Sequence, residues 1–316
     1  MSGEVEISVV VPLFNEAESL PELHEKLSKV LTSSEAYELI FVDDGSDDRS
    51  LLVLHDLRKK DPQVRIISFR RNYGKSAALR VGFDHAQGRY IITLDADLQD
   101  DPFEIPNLLA KLKEGYDLVS GWKKKRYDPL SKTIPSKFFN FVTGRLSGLK
   151  IHDFNCGLKA YRREVTEKIP VYGELHRFLP ALAHWEGFRV GEIPVRHHPR
   201  KYGHTKFGVS RFISGTLDLI TILFLARYIK KPMHLFGVAG MLVTLIGFAI
   251  LAYLTWGWIH GIWIGNRPLF FLGILLVVFG VQSFSLGLIG EQLARFQQDR
   301  RDYLCKRIEG FERRNQ

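Results

Sequence analysis

The chain has 316 residues, of which 45% are hydrophobic and 25% are charged, and its formal net charge is +9. This composition excludes a disordered polymer and predicts a packed core. Two cysteines far apart in the sequence, Cys156 and Cys305, exclude a disulfide-rich fold and suit a reducing compartment. The positive charge suits nucleic acid or anionic lipid, and the apolar segments of the C-terminal third favour lipid.

The first part of the chain, about 120 residues, alternates short apolar runs with helical segments. The apolar runs read ISVVVPL, YELIFVDDG, VRIISF, YIITLDAD and DLVSGW. Helices are predicted to begin at about Glu18, Asp48 and Lys75. Strand and helix alternation of this kind predicts an α/β fold with a mostly parallel, buried sheet. Ligands of such sheets bind beyond the carboxyl ends of the strands.

Polar clusters follow three of these predicted strands. Asn15–Glu16 follow the first strand, Asp43–Asp44 the second, and Asp95 with Asp97 the fourth. Side chains two apart in an extended strand point to the same side, so both carboxylates can reach one cation, and Gln99 could add a carbonyl oxygen. The sequence therefore predicts Mg²⁺ or Mn²⁺ at this edge of the sheet, and the metal would hold a diphosphate.

The segments beyond residue 122 are less regular. Residues 123–137, KKKRYDPLSKTIPSK, predict a basic loop broken by prolines, which leads into an amphipathic helix in FFNFVTGRLSG. Residues 151–200 predict further α+β structure, with an edge strand in FRVGEIPVRHH. Residues 209–228 are apolar but contain Arg211 and Asp218, which is typical of a helix in the membrane interface.

Two long segments of the C-terminal third have no charged residue, from Pro232 to Asn266 and from Pro268 to Gly290. Each contains about 20 apolar residues, enough to cross roughly 30 Å of hydrocarbon. They predict a transmembrane hairpin. Basic residues lie at both of its ends, namely Arg227, Lys230, Lys231, Arg295, Arg300, Arg301, Lys306, Arg307, Arg313 and Arg314. The positive-inside rule then predicts a plasma (inner) membrane protein whose catalytic domain and both termini are cytoplasmic.

Four motifs together, VVVPLFNE, FVDDGSDDRS, GKSAALRVGFDHAQGRYIITLDADLQDDP and HDFNCGLKAYRREV, resemble those of family 2 glycosyltransferases with a GT-A fold. The closest resemblance is to the polyprenyl-phosphate hexosyltransferases, which include dolichol-phosphate mannose synthase and bactoprenol glucosyltransferase. The match covers about residues 5–210. It divides the chain into a GT-A domain (1–206), an interfacial region (207–231), a transmembrane hairpin (232–293) and a basic tail (294–316).

This resemblance implies a metal-dependent, inverting transfer of a hexose to a membrane polyprenyl phosphate such as undecaprenyl phosphate. The donor would be a nucleotide sugar of the UDP-glucose or GDP-mannose type, and an aminosugar donor is an alternative. The partners would be the donor, the lipid acceptor and the membrane, with no nucleic acid. A homo-oligomer, by family resemblance a tetramer, is the candidate assembly.

The resemblance also implies roles for individual residues. Donor-binding residues would be Pro12, Phe14, Glu16, Asp44 and Asp95. The metal ligands would be Asp95, Asp97 and Gln99. The catalytic residues would be Asp153, at the position of the family's candidate base, with Arg200 and Lys206 in a segment that closes over the diphosphate. The family's acceptor-loop arginine has no single counterpart here. The candidates for binding the acceptor phosphate are therefore Lys123, Lys124, Arg126, Lys132 and Ser136.

Several other interpretations are weaker. The YGKSA motif is not a P-loop, because Phe69 stands where the first glycine is required. His197, His198 and His204 lack a nearby cysteine or fourth ligand for zinc. A lipid flippase is disfavoured because the two membrane segments contain no charge, and a non-catalytic scaffold would not need the acidic clusters. A processive polysaccharide synthase, suggested faintly by QLARF after the last membrane segment, is the alternative enzyme.

Overall fold

The structure is a computed structural model. It describes residues 5–32, 36–124, 130–173, 175–199, 201–202, 232–261, 263, 268–296 and 305–309. The chain divides into two compact units, one formed by residues 1–219 with 303–316 and the other by residues 220–302. The first unit contains an α/β sheet, and the second contains two long helices.

One mixed sheet organises the first unit. The strands are β1 (Ile7–Leu13), β2 (Tyr37–Asp43), β3 (Val64–Phe69), β4 (Tyr90–Thr93), β5 (Leu118–Trp122), β6 (Lys159–Arg162), β7 (Val190–Pro194) and β8 (Cys305–Glu309). Within the described residues they are ordered β7-β5-β6-β4-β1-β2-β3-β8. All neighbours pair in parallel except those of β6 and β8, which run antiparallel. The predicted α/β fold with a mostly parallel sheet is confirmed.

Helices cover this sheet. They are α1 (Leu20–Leu31), α2 (Ser50–Lys60), α3 (Lys75–His85), α4 (Ile105–Lys113), α5 (Leu130–Ser147), α6 (Arg163–Lys168) and α7 (Leu179–Trp185). All seven residues of β1 are buried, as expected for a parallel strand covered on both faces. Leu20, Leu23 and Leu27 recur at helical spacing on α1 and share one core with Val9 and Val11. The core therefore lies between the helices and the sheet.

Two local predictions are wrong. Strand β4 ends at Thr93, so Asp95 and Asp97 lie in a turn, in which Leu98 has a φ of 60°. The turn, and not the alternation of an extended strand, positions these two carboxylates. Helix α5 begins at Leu130, although residues 123–137 were expected to form a loop. The prolines of this segment predict a break in helical structure, whereas α5 continues through Pro135.

The two antiparallel strands have consequences for the site. Because β6 runs antiparallel between β4 and β5, the loop before it, residues 148–158, arrives at the carboxyl edge of the parallel strands. Strand β8 lies within the predicted tail and pairs with the edge strand β3, with Ile308 opposite Ile67 and Arg307 opposite Ser68. The sequence analysis predicted no strand there. Residues 305–309 therefore belong to the same sheet as β1.

The second unit contains α8 (Pro232–Ile259) and α9 (Pro268–Phe296). Both are long and apolar enough to cross a membrane: 18-residue stretches within Leu235–Ile259 and Pro268–Gln292 have mean hydropathies of 2.4 and 2.3. They pack closely, since a Cβ atom added to Gly240 would lie 2.6 Å from the carbonyl oxygen of Gly280. The predicted pair of membrane-length segments is confirmed. The predicted interfacial helix, residues 207–231, lies outside the described residues.

Candidate active site

The loops that follow β1 and β2 are joined by side-chain hydrogen bonds. The backbone N–H of Asn15, a residue with a φ of 57°, donates to Ser46 Oγ at 2.9 Å. Asn15 Oδ1 accepts from the Asp47 N–H at 3.1 Å, and the Glu16 N–H donates to Ser50 Oγ at 2.9 Å. These bonds fix both loops at the carboxyl edge of the sheet, where the sequence predicts the donor site.

Asp44 fixes a third loop at the same edge. Its Oδ1 accepts from the Tyr73 N–H at 2.7 Å, and its Oδ2 accepts from the Gly74 N–H at 2.9 Å. Burial raises the pKa of this carboxyl, while the two amides oppose that effect. The family resemblance implies that Asp44 binds the donor. Here it sets the point at which the chain enters α3, and so the position of Lys75.

Asp95 forms an ion pair with Lys75. The lysine Nζ donates to Asp95 Oδ1, and both side chains are 34% exposed. Burial disfavours the charge of Asp95, but Lys75, by its charge and hydrogen bond, and more distantly Lys123 and Lys159 lower its pKa to about 2. Asp95 is therefore ionised at neutral pH. Lys75 was not predicted as a site residue, because the YGKSA sequence that contains it was considered only as a P-loop.

A second ion pair lies beneath the first. Lys123 Nζ is 2.8 Å from Asp100 Oδ1, and the two side chains are 13% and 1% exposed. Although burial opposes it, the Asp100 carboxylate raises the pKa of Lys123 above its usual range. The Oδ2 atom of Asp100 is buried and has no hydrogen-bond partner among the described residues. Lys123, a predicted acceptor-phosphate residue, is thus engaged by a carboxylate inside the protein.

Gly157 separates the two carboxylates. A Cβ atom at this position would lie 2.6 Å from Asp95 Oδ2 and 2.9 Å from Asp100 Oδ2. Because such distances are impossible for a real side chain, only glycine allows the loop before β6 to pass this close to both acids. The sequence analysis identified neither Asp100 nor Gly157 as part of the site.

A small cleft opens above these groups. Its lining includes Pro12, Lys75, Asp95, Asn155, Lys159 and His176. Lys159 is buried and donates to the Cys156 carbonyl oxygen, and burial lowers its pKa. His176 Nδ1 lies 2.9 Å from Ser76 Oγ, and burial and then the charge of Lys75 lower its pKa well below the usual value. The cleft therefore contains Pro12 and Asp95, which were predicted, together with Lys75, Lys159 and His176, which were not.

Asp153 lies in the same loop as Gly157 and is 1% exposed. Its Oδ1 accepts from the Asn155 N–H at 3.1 Å, and its carbonyl oxygen accepts from Ser120 Oγ at 3.2 Å. The preceding residue, His152, stacks on Trp122 with ring centroids 4.1 Å apart. Asp153, the predicted catalytic aspartate, is therefore held by hydrogen bonds in a loop of which Asn155, Cys156 and Gly157 line the cleft.

The remaining metal-ligand candidates lie next to Asp95. Asp97 and Gln99 are half-buried, and Asp97 Oδ1 accepts from the Gln99 N–H at 3.2 Å. The backbone carbonyl oxygen of Gln99 accepts a hydrogen bond from the His198 N–H at 2.8 Å. His198 Nε2 lies 3.3 Å from Asp101 Oδ2. The geometry thus places one of the histidines considered for zinc against an acid outside the cleft.

The other predicted residues are placed as follows. Phe14 and Glu16 are half-buried after β1, Lys124 is exposed after β5, and Ser136 is half-buried on α5. The described residues do not include Arg126, Arg200, His204, Lys206 or the side chain of Lys132.

The oxygen donors at the cleft fit a hard divalent cation. No three His, Cys, Asp or Glu side chains of the described residues converge as in a protein-only metal site. Mg²⁺ is usually held by one or two carboxylates together with substrate phosphates. Asp95 and Asp97 could supply the carboxylates. Asp95 already pairs with one cation, the ammonium of Lys75, so its carboxylate is ionised and open to the cleft. The fit extends equally to Mn²⁺.

Comparison with known sequences identifies the family. The model of Glycosyl transferase family 2 matches residues 8–170. The chain is 39% identical over 301 residues to dodecaprenyl-phosphate galacturonate synthase of Rhizobium johnstonii, covering 92% of this chain and 88% of the relative. It is 36% identical over 316 residues to undecaprenyl-phosphate 4-deoxy-4-formamido-L-arabinose transferase of Proteus mirabilis, covering 98% and 95%.

A solved structure confirms the fold. Glucosyl-3-phosphoglycerate synthase from Mycobacterium tuberculosis, crystallised with Mn²⁺, uridine diphosphate and phosphoglyceric acid, superposes with a TM-score of 0.56. The match covers 71% of this chain and 79% of that one, at 19% identity. The chain belongs to glycosyl transferase family 2, and it is a glycosyltransferase with a GT-A fold.

Proposed function

We propose that this enzyme transfers a sugar from a nucleotide sugar to a polyprenyl phosphate at the surface of the membrane that α8 and α9 span. The observation that carries the proposal is the cleft of Asp95 and Lys75 in a chain that also has two membrane-length helices. The two relatives, named for sugar transfer to dodecaprenyl and undecaprenyl phosphate, align over 92% and 98% of this chain, which includes both helices.

The donor in this proposal is a nucleoside diphosphate sugar whose diphosphate lies over Asp95 and Asp97. A divalent cation bound there supplies Lewis-acid stabilisation of the departing diphosphate. Arg200 and Lys206 would add positive charge to the same leaving group. The names of the relatives favour a uronic acid or an aminosugar as much as the glucose or mannose predicted from the sequence.

The acceptor needs little help to become a nucleophile. A phosphate monoester has a second pKa of about 6, so it is mostly dianionic at neutral pH. One of its oxygens attacks the anomeric carbon, the bond from that carbon to the diphosphate breaks, and the configuration inverts. Asp153 then orients the acceptor or stabilises positive charge at the anomeric carbon, rather than abstracting a proton.

Strand β8 supports a cytoplasmic position for both ends of the chain. Because β8 and β3 share one sheet, the catalytic domain and residues 305–309 lie on the same side of any membrane. Two crossings by α8 and α9 would satisfy this requirement. The basic residues that flank the two helices favour the cytoplasm as that side. A C-terminal fluorescent protein fusion should therefore be bright, and a C-terminal alkaline phosphatase fusion should be inactive. The opposite pattern would contradict this topology.

The test of function uses the full chain in lipid nanodiscs with undecaprenyl phosphate and Mg²⁺ or Mn²⁺. UDP-galacturonate, UDP-4-deoxy-4-formamido-L-arabinose, UDP-glucose and GDP-mannose are supplied separately, and the lipids are analysed by mass spectrometry. We expect one donor to give a lipid phosphate with a single sugar, and a chelator to stop the reaction. A polymer would identify a processive synthase instead.

Two variants make the result specific. Asp95→Asn should lower product formation by at least about 100-fold. Asp56→Asn should not lower it, because Asp56 is 67% exposed on α2 and pairs with the surface residue Lys59. Absence of a lipid product with every donor, from protein that is folded, would overturn the proposed function.

A further inference from the structure

Lys75 places a positive charge where the site is expected to bind a metal ion. Its Nζ donates to Asp95 Oδ1, and the lysine side chain is 34% exposed. Lys75 is the first residue of α3, and the two amides before it, of Tyr73 and Gly74, are held by Asp44. The base of the side chain is therefore fixed, while its exposed ammonium can change partner without movement of the backbone.

The other lysines near Asp95 do not have this freedom. Lys123 is 13% exposed and pairs with Asp100, which is 1% exposed. Lys159 is 3% exposed and donates to the carbonyl oxygen of Cys156. Withdrawing either lysine would leave a buried charge or a buried carbonyl without its partner, which is strongly unfavourable. Of these three described lysines, Lys75 is the one suited to exchange partners.

A divalent cation at Asp95 would lie next to the Lys75 ammonium, and like charges a few ångströms apart repel each other. The nucleotide sugar brings a diphosphate to the same place. A lysine ammonium is a compact charge with three rotatable donors on a flexible stem, so it can follow the new anion. The exchange keeps every charge in the cleft paired.

We propose that Lys75 neutralises the metal-binding carboxylate of Asp95 in the ligand-free enzyme and moves to the donor diphosphate when metal and nucleotide sugar bind. This inference rests on the proposed function and adds a donor-binding residue to it. It predicts that loss of Lys75 changes the affinities for the metal and for the nucleotide in opposite directions. The metal alone gains affinity when its competitor is removed, and the nucleotide loses affinity when a cation is removed.

The test is a titration of Mn²⁺ into the detergent-solubilised full chain without nucleotide, followed by electron paramagnetic resonance. Lys75→Met should bind Mn²⁺ roughly fivefold more tightly than the wild type, the upper range for a partly exposed ion pair. Asp95→Asn should bind it at least about tenfold more weakly, because a charged ligand is lost. The matched control is Arg80→Met, since Arg80 lies on the same helix and pairs with Asp84, one turn further along that helix. Its Mn²⁺ affinity should not change.

A second titration adds UDP, with GDP in parallel, to the same proteins at saturating Mn²⁺. The affinity for the nucleotide that binds the wild type should fall roughly tenfold in Lys75→Met, because a charge-assisted hydrogen bond is lost. Lys75→Arg, which keeps the charge, should recover most of it. Lys75→Gln should also bind Mn²⁺ more tightly and the nucleotide more weakly than the wild type. It replaces Lys75→Met in the test if the melting temperature shows that Lys75→Met is unfolded.

The outcomes separate the two claims. If Asp95→Asn loses Mn²⁺ affinity but the neutral Lys75 variants bind Mn²⁺ no better than the wild type, the inference about Lys75 is wrong and the proposed function stands. If Asp95→Asn keeps the full Mn²⁺ affinity, the metal site of the proposed function is wrong, and the inference about Lys75 falls with it.

Discussion

The two ends of the parallel strands carry carboxylates in opposite situations. At the amino-terminal edge, the Glu38 side chain is fully buried and surrounded by partners. It accepts from Ser8 Oγ and from the Gln87 N–H at 2.7 Å, and its Oε2 lies 2.6 Å from Arg65 Nη1. At the carboxyl-terminal edge, Asp95 is one-third exposed and pairs with a single lysine ammonium that lies at the surface.

This difference separates a carboxylate that stabilises the fold from one that can bind a ligand. The described partners of Glu38, namely Ser8, Arg65 and Gln87, belong to the sheet or to a loop beside it, and none of them lines the cleft. Asp95 faces a cleft, and its lysine partner can be replaced. Ligand sites of α/β sheets lie at the carboxyl edge because the loops there are free to carry such groups.

The largest expected effect is on activity at the carboxyl edge. Asp95→Asn should lower turnover by roughly 100- to 1000-fold, the range for loss of a group that stabilises transition-state charge. The melting temperature should change little, because the pair with Lys75 is partly exposed. Turnover and thermal unfolding of the same preparation provide the check. Retention of more than about a tenth of the activity would contradict the role of Asp95 as a metal ligand.

The amino-terminal edge should show the reverse behaviour. Glu38→Gln should lower the free energy of unfolding by about 3 kcal/mol, because it removes one partner of a buried ion pair. Donor affinity and turnover per folded molecule should match the wild type. Chemical denaturation and calorimetry measure these quantities separately. A loss of activity at temperatures where the variant is folded would show that the two edges are coupled.

Gly157→Ala tests the contact between the loop and the two acids. The new methyl group would overlap Asp95 and Asp100, so we expect a loss of about 2 kcal/mol in stability together with weaker metal binding. The matched control is Gly144→Ala, because a methyl group there would lie 3.5 Å from the carbonyl oxygen of Leu149, an ordinary van der Waals contact. Wild-type metal affinity in Gly157→Ala would mean that the loop moves aside without disturbing Asp95.

The smallest expected effect concerns pH. The folded-state pKa of Asp95, about 2, lies below its ordinary value of 3.8. The charged form therefore stabilises the fold, fully above pH 3.8 and decreasingly as the pH falls towards 2. The stability advantage of the wild type over Asp95→Asn should be at most about 1 kcal/mol, since the pair is partly exposed to solvent. It should be equal at pH 7 and pH 5, and smaller at pH 3. A decrease between pH 7 and pH 5 would contradict this assignment.

The sequence predicted the parts of the fold that depend on local pattern. Apolar runs such as ISVVVPL predicted β1, β2, β3 and β5, and charge-free segments predicted α8 and α9, because burial and membrane insertion both require apolar side chains. Strand β8 was not predicted, since CKRIE is polar. Its pairing depends on the open edge of β3, which is distant in the sequence.

The same limit applies to the site. The position of Asp95 after β4 follows from the sequence pattern, and the structure places it in the cleft as expected. Its pairing with Lys75, and that of Asp100 with Lys123, join residues 20 or more positions apart. Such pairs are set by the packing of α3 and of the β5 end against the β4 turn. No local pattern encodes this packing.

The most direct test of the account asks whether metal and diphosphate meet at Asp95. Electron-nuclear double resonance on the full chain with Mn²⁺ and the nucleoside diphosphate of the active donor detects phosphorus coupled to the bound metal. The account predicts a ³¹P coupling in the wild type and in Glu38→Gln, and no protein-bound signal in Asp95→Asn. Bound Mn²⁺ without phosphorus coupling in the wild type, or an unchanged coupling in Asp95→Asn, would contradict it.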